Sequence, residues 1–131
     1  MAIDFAALQL GWRPNQFLVL PPGFIGKAQA HAESPVFAVP ADKVLAALKR
    51  IALAEPRTEL LAEDTAQRRL ALVQRSKTFR FPDFIDVEAV PASGGGSALA
   101  IYSRAKYGIR DFGVNRARIE RWIAALRAQL A

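Results

Sequence analysis

Between Leu99 and Leu130 an apolar strand passes through a polar, glycine-bearing turn into a long run of helical period. Ile119, Trp122, Ile123, Leu126 and Leu130 recur at that period, so the helix must bury one apolar stripe against a second layer, with Arg118, Arg121 and Ala125 lying off it. Asn115 falls on the stripe one turn before Ile119. An amide aimed at whatever the helix covers needs hydrogen-bond partners there, in the sheet or in the turn from Gly108 to Gly113.

The layer beneath is read from the preceding half of the chain. Thr58 to Glu63 alternates, residues 64–67 turn, Arg69 to Phe81 reads as one long strand with a bend or bulge, and Pro82-Asp83 turns again. Phe84 to Val90 follows, residues 91–97 form a hairpin loop, and Ala98 to Tyr107 returns. The three glycines of that loop precede no helix, so they read as a flexible connection and not as a phosphate cradle. Upstream, Asp4 caps a short helix to Leu10, Gln16 to Leu20 is a short strand, residues 24–33 with His31 form a surface loop, and Val36 to Val39 is another short strand. A second helix follows Pro40, with Val44, Leu45, Leu48, Ile51 and Ala52 as its apolar face, and Glu55-Pro56 ends it. Short connections make neighbouring strands antiparallel. The expected fold is α+β and two-layered: an antiparallel sheet of about five strands in β-α-β-β-β-β-α order with two helices packed on one face, a single domain over residues 1–131. Leu48, Ile51, Ile101, Ile119, Trp122 and Leu126 form its expected core.

Composition narrows the chemistry. With 52% apolar residues among 131, the chain can bury a core without disulfides or metals. It has no cysteine and one histidine, which excludes a thiolate nucleophile and leaves a metal only carboxylates besides His31. No cofactor is expected. The first ten residues lack a leading Lys or Arg and carry Asp4 and Gln9, unlike a secretory signal, and no apolar run reaches membrane-spanning length, so a cytoplasmic protein without a membrane span is expected. The net charge of +6 is uneven: residues 68–80 hold five basic and no acidic groups, and residues 99–131 seven against two. Such segments are either solvated faces or a surface that holds a polyanion weakly, without sequence preference and in a salt-sensitive way.

Polar groups begin midway along the long strand and the last one. Strand alternation sets Arg75 with Ala71 and Val73, and Arg104 with Ala100 and Tyr102. If these strands lie close, Arg75 and Arg104 flank the entrance of the last helix, with Asp111 as counter-ion. Two readings of this cluster stay open: a structural one, in which Asp111 and Asn115 satisfy free donors at the helix start, and a functional one, in which the helix start and its arginines take a carboxylate or phosphate. A hydrolytic triad would need His31 from an unpatterned loop, and there is neither a dinucleotide-binding glycine fingerprint nor metal-ligand spacing. Paired carboxylates among Asp83, Asp86 and Asp111 are the one catalytic arrangement left, with Asp83 more simply a turn residue. The expected function is a small non-catalytic binding or accessory domain taking a small acidic ligand or a protein partner. The alternatives are a basic surface for nucleic acid or another polyanion, and an uncharacterised carboxylate enzyme.

The segment V-Q-R-S-K-T-F-R-F-P-D-F-I-D-V-E, followed by I-Y-S-R-A-K-Y-G-I-R-D-F-G-V-N-R-A-R-I-E, closely resembles the bacterial and plastid family known as domain of unknown function 1499. The likeness runs from about Arg13 to Leu126. It maps the family's motif onto Phe81, Asp83, Asp86, Ser103, Arg104, Gly108, Asp111, Gly113, Asn115, Arg116 and Arg118. Near the amino end the family often has S-P-N-C-V-S-S, whereas this chain has Arg13-Pro14-Asn15-Gln16-Phe17-Leu18, so any role of that cysteine and those serines is absent. The resemblance implies a recurring fold and motif and no established activity; strand alternation and the motif residues together give a candidate ligand-binding site at Arg75, Ser103, Arg104, Asp111, Asn115 and Arg116. In outline, a curved sheet under a long last helix also looks like helix-grip ligand-binding domains, which would bring Arg75, Tyr102 or Arg104 to an acidic ligand head.

Overall fold

The computed structural model describes residues 3–130. The strands are β1 (Gln16–Leu20), β2 (Ala32–Glu33), β3 (Thr58–Asp64), β4 (Arg69–Arg75), β5 (Pro82–Pro91) and β6 (Ser97–Ala105), with helix α1 (Ala41–Leu53) before β3 and α2 (Val114–Gln129) at the end. They form one sheet of six strands in the order β2-β1-β6-β5-β4-β3. All pairings are antiparallel except β1 with β2, which is parallel. The expected α+β, two-layer fold with two helices on one face is therefore present, with a sixth strand of two residues added at the edge.

Alternation decides which residues meet the helices. Phe17 and Val19 of β1, Leu70 and Leu72 of β4, Ile85, Val87 and Ala89 of β5, and Leu99 and Ile101 of β6 share one core with Val44, Leu45 and Leu48 of α1 and Ile119, Trp122 and Leu126 of α2. Ile51 packs at its margin. The opposite face is covered at the β1–β6 end by the amino-terminal segment, whose Phe5 joins Leu18, Leu20 and Ala100 with Ile3, Leu8 and Phe24 around them.

Several local expectations fail for identifiable reasons. Residues 4–10 form no helix; Asp4 Oδ1 accepts the Ala6 N–H at 3.0 Å in a single turn, and the apolar side chains serve the back of the sheet instead. Val36 to Val39 is not a strand, since only Phe37 bridges to Ser97, while Ala32–Glu33, expected to be loop, pairs with β1. A side chain at Gly96 would put a Cβ 2.6 Å from the Phe37 carbonyl oxygen, so this bridge requires glycine. The long strand stops at Arg75, because Ser76 closes a loop: its N–H donates to the Phe81 carbonyl and its Oγ accepts the Phe81 N–H at 3.0 Å. Pro82, expected in a turn, opens β5 opposite Arg75, a first-strand position where proline's missing N–H is tolerated. The register irregularity falls in β3, between Leu60 and Ala62.

Candidate functional site

The core-facing alternation that delivers Leu70 and Leu72 continues to Gln74, that of Ile85 extends back to Asp83, and that of Leu99 and Ile101 continues to Ser103. The sheet thus turns polar beneath the first turns of α2, where Asn115 and Arg118 descend. Arg118, only 3% exposed, is the hub. Its Nε donates to Gln74 Oε1 at 2.7 Å, Nη1 to Asn115 Oδ1 at 2.7 Å and Ser103 Oγ at 2.9 Å, and Nη2 to Asp83 Oδ2 at 2.8 Å. Ser103 Oγ donates in turn to Asn115 Oδ1 at 2.6 Å.

Asn115 is fully buried and all of its amide's capacity is used. Nδ2 donates to Asp111 Oδ2 at 2.7 Å and to the Asn15 carbonyl at 3.2 Å, while Oδ1 takes Ser103 and Arg118. Asp111 also accepts the backbone N–H groups of Gly113 at 3.0 Å and Asn115 at 3.1 Å, and so satisfies helix-start donors from two residues before the Gly113 cap. Gly113 lies at φ 81°, the left-handed region, which glycine occupies without the cost a side chain adds. The network extends to the other helix: Gln74 Nε2 donates to Glu55 Oε1 at 2.8 Å, and Arg121 holds the same carboxylate through Nε and Nη2, both at 2.8 Å. The Arg121 hydrogen bond is the main cause that keeps Glu55 below its usual pKa, with Gln74 adding to it against the cost of burial. The buried Trp122 Nε1 has no hydrogen-bond partner among the described residues.

Of the residues expected at the site, the structure brings together Ser103, Asp111 and Asn115. It separates Arg75, Arg104 and Arg116 from them. Because Gln74 and Ser103 face the helices, their neighbours Arg75 and Arg104 face away. Arg104 pairs with Asp86 on the back of the sheet and lies over the Tyr102 ring at 4.9 Å, so neither Tyr102 nor Arg104 meets a ligand beneath α2. Among the described residues the Arg75 guanidinium reaches only the Arg80 carbonyl, at 3.5 Å. Arg116 is exposed, 3.3 Å from Glu120. Asp83, expected in a turn, lies in β5 and pairs with Arg118. Arg118 reads as lying off the apolar stripe because it is charged, although its helical spacing, three after Asn115 and four before Trp122, is the signal that puts it against the sheet.

The space between sheet and α2 is filled by Ile119, Trp122 and Leu126, and a lateral groove of about 300 Å³ beside α2 and β1–β2 is lined by Phe17, His31, Arg116, Ile123 and Arg127 among others. His31 is stacked on Phe17 with centroids 5.3 Å apart and its Nδ1 accepts the Leu18 N–H at 2.9 Å; burial lowers its pKa. No group of three His, Asp or Glu side chains that could hold a metal occurs among the described residues, and none of their helices is long and apolar enough to cross a membrane.

Comparison with known proteins gives one family and a fold likeness. The family described as Protein of unknown function (DUF1499) matches residues 12–126, which hold every residue of the network. No curated protein matches the chain in sequence. Among solved structures, the crystal structure of Ara h 8.0201 is similar at a TM-score of 0.52 and 12% identity, over 75% of this chain and 94% of that one. The crystal structure of TTHA0849 from Thermus thermophilus aligns at a TM-score of 0.35 and 13% identity, over 74% and 90%.

Proposed function

The chain belongs to the DUF1499 family, and we propose that it is a single non-catalytic binding domain in which the Arg118–Asn115 network is the frame and the loops around the entrance of α2 are the anion-binding surface. One contrast carries this reading: the charges inside the network are spent on one another, whereas those on the surrounding loops are free. Arg118 directs its donors to four side chains, and Asp83 and Asp111 each accept protein donors, which leaves none of them poised for a small anion or for acid–base work. By contrast, Arg13, Lys77, Arg80, Lys106 and Arg110, in the loops 11–15, 76–81 and 106–113, form no salt bridge among the described residues. The single carboxylate of those loops, Asp111, is engaged by Gly113 and Asn115.

Retention on heparin as a function of salt tests the reading. A chain bearing Lys77→Glu, Arg80→Glu and Arg110→Glu should elute earlier, with the log–log salt slope flattened by about one for each cation replaced, while its unfolding temperature is unchanged. Arg118→Gln should behave oppositely, lowering stability and leaving the slope of the folded fraction intact. Unaltered retention of the triple variant refutes the assignment.

A further inference from the structure

The same loops carry apolar side chains as well as charge, and, resting on the anion-binding reading above, we infer that this end of the molecule seats on the surface of an anionic lipid bilayer. Trp12, Phe79, Phe81, Tyr107, Ile109 and Phe112 are all exposed and all lie in the loops 11–15, 76–81 and 106–113. Phe112 is 93% exposed and Phe79 72%. Single exposed apolar residues are ordinary, but a group gathered at one end of a fold marks an interaction surface.

The loops are tied to one another. Phe79 stacks on Phe81 with centroids 5.4 Å apart, and Phe81 meets Tyr107 edge-on at 5.8 Å. Asn15 Nδ2 donates to the Gly108 carbonyl at 2.7 Å, which joins the first loop to the last. Asp111, just before Phe112, accepts the N–H groups of Gly113 and Asn115 just after it, and so closes the turn in which Phe112 stands outward at φ 53°, a left-handed backbone uncommon for a bulky residue. The apolar tips are therefore presented by a braced frame, with Arg13, Lys77, Arg80, Lys106 and Arg110 interleaved among them.

That combination fits the bilayer interface. Aromatic and aliphatic tips enter the boundary between headgroups and acyl chains, and Lys and Arg remain among the lipid phosphates. A small soluble anion would account for the charge and leave Ile109 and Phe112 without a role. A single-stranded nucleic acid binds along a groove on open ring faces. Here Phe79 and Phe81 cover each other, and Ile109 offers no face to a base.

The test is co-sedimentation of the full chain with vesicles of phosphatidylcholine, with and without about one third phosphatidylserine, set beside binding to an oligouridylate of matched charge. Uptake is expected on the anionic vesicles and not on the neutral ones. Replacing Lys77, Arg80 and Arg110 by Gln should weaken it about fivefold per charge removed. Phe79→Ser with Phe112→Ser should weaken it by at least about tenfold. Phe112→Asn, which suits a left-handed backbone, removes the ring with the fold retained, so a loss of uptake with an unchanged circular dichroism spectrum supports the inference. Equal uptake by neutral vesicles, or uptake indifferent to the phenylalanine changes, overturns it. Binding to oligouridylate without vesicle uptake overturns it in favour of nucleic acid and leaves the anion-binding reading standing; binding to neither vesicles, oligouridylate nor heparin removes both.

Discussion

Asn115 is the residue at which local preference and burial conflict, since asparagine is a weak helix former and a costly group to enclose. It is tolerated because its two N–H donors and its oxygen together find partners in three segments: Asn15, Ser103, and the stretch from Asp111, just before α2, to Arg118 in its second turn. Replacing it by Leu keeps the volume and strands the partners. Asn115→Leu should cost about 1–3 kcal/mol in a denaturant titration, with the buried Arg118 and Ser103 groups accounting for it. A midpoint equal to that of the unaltered chain would contradict the network. That Asn115 is buried can be read from its position on the stripe; the identity of its partners cannot, because Asn15 is one hundred residues away and Arg118 looks like a solvent-facing cation.

At the scale of elements, the network is a clasp between the entrance of α2, the exit of α1 and the polar end of strands β4 to β6. Glu55 joins the helices, and its pKa gives the clasp a pH signature. The folded-state value lies below the ordinary 4.5, chiefly through Arg121, so the unfolded chain takes up a proton first as pH falls. Its stabilising contribution is complete above about that ordinary value and is lost as pH drops through the depressed folded value. Glu55→Gln should therefore lower the thermal midpoint at neutral pH, and the two midpoint curves should converge in acid. A gap that persists at low pH would assign the effect to something other than the Glu55 charge. The sequence places Glu55 only as the residue that ends α1 before Pro56; its use as an anchor for Arg121 depends on how the helices lie side by side.

For the molecule as a whole, Trp122 is the largest fully buried side chain and sits where α1, α2 and the central strands converge. Trp122→Ala should destabilise the chain by about 3–5 kcal/mol, measured by chemical unfolding. A smaller loss would mean that the layers close over the gap. The sequence by itself determined the two-layer α+β architecture, the core positions Leu48, Ile101, Ile119, Trp122 and Leu126, and the burial of Asn115. Each follows from a periodicity of two or 3.6, which is a local property of the chain. Only the tertiary structure decided where the long strand stops, because that depended on the Ser76–Phe81 loop and on Pro82 pairing opposite Arg75. It also decided which arginine enters the site. Polar residues at the ends of alternating strands have no hydrophobic signal to assign their face, so Arg75 and Arg104 read as flanking the helix when the unbroken alternation of Leu72 and Ile101 sends Gln74 and Ser103 there instead. The gathering of Phe79, Tyr107 and Phe112 at one end of the sheet arises in the same way, from strand register that brings distant loops together.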